Sequence, residues 1–80
     1  MFLKKCREQL ITPKTNAILT RRQRECLRYI ADGYTARSIG YRLGISIRMV
    51  RFHLEAARLR LNASSTTQAV YLATKAGLID

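Results

Sequence analysis

The chain has 80 residues, enough for one small domain that buries only about 60% of its unfolded surface. Its 15 Lys and Arg against 5 Asp and Glu give a net charge of +10, which predicts an anionic partner: nucleic acid, an acidic membrane surface or an acidic protein. No apolar run approaches the roughly 20 residues of a membrane-spanning helix, so no membrane partner is expected.

The residue types that most often carry chemistry are sparse. Cys6 and Cys26 are too few and too far apart for a disulfide framework or a metal cluster, so we expect free thiols in a reducing, cytoplasmic location. Cys26 is expected to be a small buried hydrophobe. No Gly-rich phosphate loop, paired carboxylates or nucleophile–base set occurs, and His53 has no second ligand at metal spacing. We therefore expect neither an enzyme nor a bound cofactor or metal.

A basic arm, residues 1–18, precedes the domain that we place at residues 19–80. Apolar residues at helical spacing form one weak stripe: Leu3, Cys6 and Leu10. Pro13 should end this helix, and a flexible lead-in is the alternative. The arm is too short for a ligand pocket or a phospho-acceptor domain. Regulation is therefore expected to come from expression level, a partner, or a sensor domain outside this sequence.

The first helix is predicted to begin near Thr20, an N-cap whose capping box is completed by Gln23. Gly33 should end it in the left-handed conformation. Three apolar residues supply its buried stripe: Leu27, Ile30 and Ala31. Three arginines charge its first turn: Arg21, Arg22 and Arg24. Because positive charge there opposes the helix dipole, the arginines serve either phosphate contact or surface solubility.

A second helix is predicted over residues 36–43, with Thr35 as its N-cap and with Ile39 and Leu43 facing inward. Gly40 lies between these two residues. Its missing side chain predicts that the second helix approaches its neighbour closely, although glycine costs about 1 kcal/mol relative to alanine in a helix.

The turn Gly44-Ile45-Ser46 leads into a third helix over residues 47–61, capped by Ser46. One face of this helix is apolar: Val50, Leu54, Ala57 and Leu61. The opposite face is polar with one aromatic residue: Arg48, Arg51, Phe52, Glu55 and Arg58. Two helices joined by a tight turn that contains glycine indicate a helix-turn-helix, whose second helix can enter the major groove.

A polar connector follows, and Thr67 is predicted to cap a fourth helix. This helix has an apolar stripe: Ala69, Val70, Ala73 and Ala76. Gly77 should end it, with Leu78 and Ile79 folded back as the hydrophobic contact of a Schellman-type stop. No strands are expected, so the predicted fold class is all-α.

Six short motifs together resemble the LuxR-type (LuxR/NarL/GerE) family of DNA-binding domains: Leu19-Thr20, Arg24-Glu25-Cys26-Leu27, Leu43-Gly44-Ile45-Ser46, Val50-Arg51-Phe52-His53, Ala69-Val70 and Gly77-Leu78-Ile79. The Cys-Leu and Phe-His pairs look most similar to its quorum-sensing branch. The resemblance covers about residues 19–79 and implies a four-helix helix-turn-helix domain. A sigma-factor region 4 domain shares the helix-turn-helix pattern without such a fourth helix and ranks second.

The resemblance implies base contacts from the third helix and backbone contacts near the starts of the second and third helices. The base contacts fall on Arg51, Phe52 and Glu55. The backbone contacts fall on Thr35, Arg37, Ser46 and Arg48. Arg58 is a further expected phosphate contact. Two residues have alternatives, because Glu55 could instead orient Arg51 or Arg58, and Phe52 could cover the join between helices.

The predicted function is a sequence-specific DNA-binding transcriptional regulator, acting as a homodimer on an inverted repeat of double-stranded DNA. The candidate dimer interface is on the fourth helix: Val70, Tyr71, Thr74 and Lys75. The alternative for these residues is that they only cover the core. The alternative function is an interaction module that docks on a partner regulator, and RNA polymerase or another regulator is a further candidate partner. The operator, the regulated genes and the direction of regulation do not follow from the residues.

Overall fold

The computed structural model describes residues 18–79, so the predicted helical stripe of the arm lies outside the described residues. The described part contains four helices and no strand: α1 (Arg21–Ala31), α2 (Ala36–Leu43), α3 (Ile47–Arg60) and α4 (Thr66–Lys75). The predicted all-α fold class is confirmed.

Side-chain caps define the starts of the first three helices where the sequence predicted them. The Thr20 hydroxyl accepts a hydrogen bond from the Gln23 backbone N–H at 3.1 Å, and the Gln23 amide oxygen accepts one from the Thr20 N–H at 3.0 Å. Thr35 and Ser38 form the same reciprocal pair at the start of α2, whereas at α3 the Ser46 hydroxyl only accepts from the Met49 N–H. Each cap satisfies backbone donors that have no partner inside the helix.

Three of the four helices end in the same turn, in which one residue is left-handed and the next N–H reaches back five residues. In α4, the Leu78 N–H donates to the Ala73 carbonyl at 2.8 Å, and Leu78 and Ile79 are buried, as predicted. The left-handed residues are Gly33 after α1, Asn62 after α3 and Gly77 after α4. Helix α3 therefore ends at Arg60, one residue earlier than predicted, because Leu61 already belongs to the turn.

Helix α3 packs against all three other helices and so forms the centre of the domain. Its predicted apolar face is confirmed, since Val50, Leu54 and Ala57 are buried and Leu61 is partly buried against them. The other buried hydrophobic residues complete a single core: Leu19, Cys26, Leu27, Ile39, Ala63, Ala69, Ala73, Leu78 and Ile79. Burial of Cys26 as a small apolar residue is confirmed, and it raises the pKa of the thiol.

Two details of the predicted helices are wrong, and one residue of the connector is buried. Ala31 and Ala76 are exposed, because each lies at the C-terminal end of its helix, where the apolar stripe has no facing neighbour. Ser65, not Thr67, caps α4, accepting from the Gln68 N–H at 3.1 Å. Ala63, in the connector predicted to be polar, is buried.

The connection between α2 and α3 is tight because of two glycines, Gly40 within α2 and Gly44 in the turn. Gly44 is left-handed, with φ of 71°, and the Ile45 N–H donates to the Gly40 carbonyl at 3.0 Å. A Cβ on Gly40 would lie 2.7 Å from the Ile45 carbonyl oxygen. The close approach predicted at Gly40 is confirmed, and it determines how α3 projects from α2.

Candidate nucleic-acid interface

The face of α3 opposite the core is open to solvent from Arg48 to Glu55. Arg48, Arg51, Phe52 and Glu55 are all exposed, whereas Val50, which lies between them in sequence, is fully buried. The expected separation of α3 into a buried aliphatic face and an exposed basic face is therefore present. An exposed helix face of this kind can meet a groove of DNA without any rearrangement of the core.

Two of the exposed arginines on α3 have no partner within the described part of the chain. Neither Arg48 nor Arg51 makes a hydrogen bond, ion pair or ring contact there, and the same holds for Arg37 on α2. Their guanidinium groups are thus available to an external anion or base edge. Arginine is well suited to both, because its planar N–H groups bind phosphate or the O6 and N7 atoms of guanine in a bidentate manner.

Phe52 does not cover a join between helices. Its side chain is 62% exposed, and its ring makes an edge contact with His53, with 5.8 Å between the ring centroids. His53 is partly buried, and burial together with the positive charge of Arg22 lowers its pKa. Among residues 18–79 no cluster of His, Cys, Asp or Glu could hold a metal ion.

Glu55 and Arg58 form an ion pair one turn apart on α3. Arg58 Nε donates to Glu55 Oε1 at 3.0 Å, and Arg58 Nη2 donates to Glu55 Oε2. Arg58 Nη1 also donates to the Ala63 carbonyl at 2.9 Å. The hydrogen bond from Arg58 lowers the pKa of the Glu55 carboxyl. Of the two partners foreseen for Glu55 within the chain, the structure selects Arg58 over Arg51.

The first turns of α2 and α3 contain no acidic residue, so the positive ends of both helix dipoles are uncompensated. The hydroxyls of Thr35 and Ser46 already accept backbone N–H groups of their own helices. A phosphate contact from either hydroxyl would therefore use it as a donor. The exposed side chains of Arg37 and Arg48 follow these caps by two residues in each helix.

The arginines in the first turn of α1 have local partners. Arg21 and Arg22 both pair with Glu25, at 3.6 and 3.1 Å, and Arg24 donates to the Leu19 carbonyl at 3.0 Å. These contacts give the three arginines a structural role, which is different from the phosphate contact and the surface solubility considered from the sequence.

The candidate dimer residues divide into one packed and three exposed side chains. Val70 is partly buried against the core, whereas Tyr71, Thr74 and Lys75 are exposed. The Lys75 ammonium lies 5.7 Å from the centroid of the Tyr71 ring. Tyr71 is 59% exposed, so α4 presents one aromatic ring with a positive charge beside it.

Three apolar side chains that the sequence analysis did not assign to a site are exposed: Tyr41 on α2, and Met49 and Leu59 on α3. Tyr41 on α2 is the most exposed of them, at 91%. Helical periodicity places it away from the inward-facing Ile39.

Comparison with known proteins decides the family. The family model described as bacterial regulatory proteins, luxR family, matches residues 17–73, which include all of α1, α2 and α3. The chain belongs to the luxR family of bacterial regulatory proteins. It is a LuxR-type DNA-binding domain of transcriptional regulators, not an enzyme, and the resemblance stated from its motifs is confirmed.

Relatives from this family align with nearly the whole chain. SolR, a transcriptional activator protein of Ralstonia solanacearum, is 45% identical over 69 residues, which cover 86% of this chain and 29% of SolR. LuxR, a transcriptional activator protein of Aliivibrio fischeri, is 39% identical over 67 residues, which cover 84% of this chain and 27% of LuxR. The chain thus spans less than a third of the length of these curated relatives.

The fold is similar to the solved structure of the transcription factor GerE. The TM-score is 0.76 at 28% sequence identity, and the match covers 79% of this chain and 94% of the GerE chain. Residues 18–79 therefore fold as the four helices of a LuxR-type domain, with no strand among them. No helix in this range is long and apolar enough to cross a membrane.

Proposed function

We propose that this LuxR-type domain recognises specific double-stranded DNA by inserting α3 into the major groove. The observation that carries the proposal is the pairing of two faces on one helix. Val50, Leu54 and Ala57 are buried in the core, while Arg48 and Arg51 are exposed without a partner among the described residues. The anchored aliphatic face supports α3 rigidly, so the exposed face can meet base edges with little conformational cost.

Base recognition in this proposal rests on three side chains of α3. Arg51 binds guanine O6 and N7 in a bidentate manner, Phe52 packs on a thymine methyl group, and Glu55 accepts from a cytosine amino group. A good bidentate pair discriminates against the wrong base by about 1–3 kcal/mol. Sequence preference should therefore depend most on Arg51.

Backbone contacts in this proposal come from the starts of α2 and α3. Arg37 and Arg48 bind phosphates, and Thr35 and Ser46 lie beside them at the positive ends of the helix dipoles. Such contacts set the orientation of the domain on the duplex without reading sequence. Each phosphate neutralised adds about 0.9 to the slope of log affinity against log salt concentration.

A homodimer on an inverted repeat is the proposed binding unit. One small module typically buries about 600–1,000 Å² on DNA, and a second copy doubles the contact. The exposed face of α4 that carries Tyr71, Thr74 and Lys75, with Val70 at its base, is the proposed contact between copies. Sedimentation on a palindromic site should give two chains per duplex, and strict one-to-one binding would rule the dimer out.

The central test compares Arg51→Ala with Arg28→Ala on sites selected from random DNA by the wild-type protein. Arg28 is an exposed arginine in the last turn of α1, so its loss removes the same charge without touching α3. We expect Arg51→Ala to lower affinity for the selected site roughly 5- to 150-fold and to relax the preference at one base pair. Arg28→Ala should weaken binding to the selected site and to random DNA by the same small factor.

Unchanged site selection by Arg51→Ala would refute the major-groove proposal. If regulation in cells also survived Arg51→Ala, the interaction module that docks on a partner regulator would replace it.

A further inference from the structure

Arg58 is the one arginine on α3 that connects the exposed face of the helix to the turn that follows it. Three of its five N–H groups are directed to protein partners, two to the Glu55 carboxylate and one to the Ala63 carbonyl. Its side chain is 26% exposed, whereas that of Glu55 is 57% exposed. This arginine therefore differs from Arg48 and Arg51, which have no partner among residues 18–79.

The Ala63 carbonyl is a rigid anchor for the guanidinium group. Ala63 is buried, and its N–H donates to the Arg58 carbonyl at 3.0 Å. The Asn62 N–H donates to the Leu59 carbonyl at 3.1 Å, which closes the same turn. Arg58 is thus bonded to this turn through both its backbone and its side chain. A guanidinium group fixed in this way fixes the carboxylate that it binds, because a two-point contact allows only one relative orientation.

We infer that Arg58 is a positioning residue that holds the Glu55 carboxylate in one orientation toward the base edges, and that it is not a phosphate contact. The inference rests on the proposed function, in which α3 lies in the major groove. An ionised carboxylate has about four acceptor sites, and Arg58 occupies two of them. Because the Glu55 side chain is 57% exposed, its remaining acceptor sites can accept from the exocyclic amino group of a base, such as cytosine N4.

Two physical effects make this arrangement useful for reading DNA. A free glutamate loses side-chain conformational freedom on binding, and that cost falls when the carboxylate is already held. A free carboxylate is also repelled by the DNA phosphates, and the positive charge of Arg58 offsets this repulsion. Arg58 therefore acts on base preference through Glu55.

The decisive experiment is a double-mutant cycle on the wild-type selected site and its single-base variants, measured at several salt concentrations. It compares Glu55→Gln, Arg58→Ala and the double variant. We expect both single variants to lose preference at the same base pair, where wild type discriminates roughly 5- to 150-fold. The double variant should match Glu55→Gln in both base preference and salt slope, because in this inference Arg58 acts on DNA only through the Glu55 carboxylate.

A phosphate contact from Arg58 would give a different result. The double variant would then bind all sequences more weakly than Glu55→Gln, and its salt slope would fall by a further 0.9 or so. That outcome, or loss of preference at different base pairs in the two single variants, overturns the inference.

Arg60→Ala is the matched control, because Arg60 is also on the last turn of α3 but donates to the Ile18 carbonyl. It should keep the preference at the Glu55 base pair. Arg58→Lys keeps the charge without the planar two-point contact, so it should relax the preference as Arg58→Ala does. If Arg58→Ala fails to fold, Arg58→Lys takes its place in the double-mutant cycle. An Arg58→Lys variant that keeps the preference at the Glu55 base pair would count against the inference.

A measurement without DNA separates this inference from the proposed function. The pKa of the Glu55 carboxyl, followed by NMR, should rise in Arg58→Ala because the hydrogen bond that lowers it is lost. An unchanged pKa would mean that the Glu55–Arg58 pair does not form in solution. That result refutes the positioning role of Arg58 and leaves the proposed function standing. A wild-type protein that selects no sequence refutes the proposed function, and the positioning role then falls with it.

Discussion

Gly40 lies within α2 at a position where alanine would ordinarily stabilise a helix, yet we expect Gly40→Ala to destabilise this domain. Helix propensity alone favours alanine by about 1 kcal/mol. The structure opposes this gain, because the new Cβ would stand 2.7 Å from the Ile45 carbonyl oxygen, where ordinary contact begins at 3.4 Å. The turn, or α2 itself, would have to shift by a good part of this difference.

The shift is costly because the obstructing atom belongs to backbone that is held on both sides. The Ile45 N–H is bonded to the Gly40 carbonyl, and the next residue, Ser46, caps α3. Overpacking of this kind costs about 1–3 kcal/mol, and rigid backbone places the cost toward the upper end. After the propensity gain is subtracted, a net loss of roughly 1–2 kcal/mol remains. For a domain of this size each kcal/mol lowers Tm by about 4–8 °C.

Urea and thermal unfolding followed by circular dichroism measure this loss. The matched control is Tyr41→Ala, which also places alanine in α2 but at a side chain that is 91% exposed. We expect the control to change stability by less than about 0.5 kcal/mol. A higher unfolding midpoint for Gly40→Ala than for wild type would show that propensity dominates, and would refute the close approach of α2 to the turn.

Two further predictions concern stability. Leu27 is fully buried and Leu59 is 62% exposed. Leu27→Ala should therefore lower the unfolding free energy by about 2–5 kcal/mol, and Leu59→Ala by less than about 0.5 kcal/mol. Equal urea midpoints for the two variants would contradict the assigned core. The pKa of His53 is lowered by burial and by the charge of Arg22, so the unfolded state binds its proton more readily. The unfolding free energy should therefore fall as the pH drops below the ordinary histidine value of about 6.5 and through the folded pKa, and His53→Gln should flatten this part of the urea-midpoint profile.

Sequence reasoning located most of the fold because each helix carries its own start and stop signals. Thr20, Thr35 and Ser46 are N-caps where their residue types predict them, and Gly77 with Leu78 ends α4 as expected. These signals act over three to five residues, so they can be read without knowing the tertiary structure.

The signals that sequence reasoning missed depend on tertiary context. The connector before α4 offers several hydroxyl residues that could cap, and Ser65 was not distinguishable from Thr67 until the turn at Asn62 was known. Ala63 is buried because that turn directs it into the core.

The candidate site was predictable to a similar extent. The exposed face of α3 follows from helical periodicity alone, and the spacing of Glu55 and Arg58 suggested their pairing. The bond from Arg58 to the Ala63 carbonyl was not predictable, because it requires the path of the chain after α3. The contacts of Arg51 and Glu55 with DNA, and those of Tyr71 and Lys75 with a second copy, remain predictions.

The short connections between helices have a kinetic consequence. Only four, three and five residues separate α1 from α2, α2 from α3 and α3 from α4. Little entropy is lost in closing such loops, and helical proteins rich in local contacts fold in microseconds to milliseconds. Because α3 touches every other helix, it should gain its final packing in that same rapid event. The chain emerging from a ribosome would therefore hold α3 in place almost as soon as α4 is available.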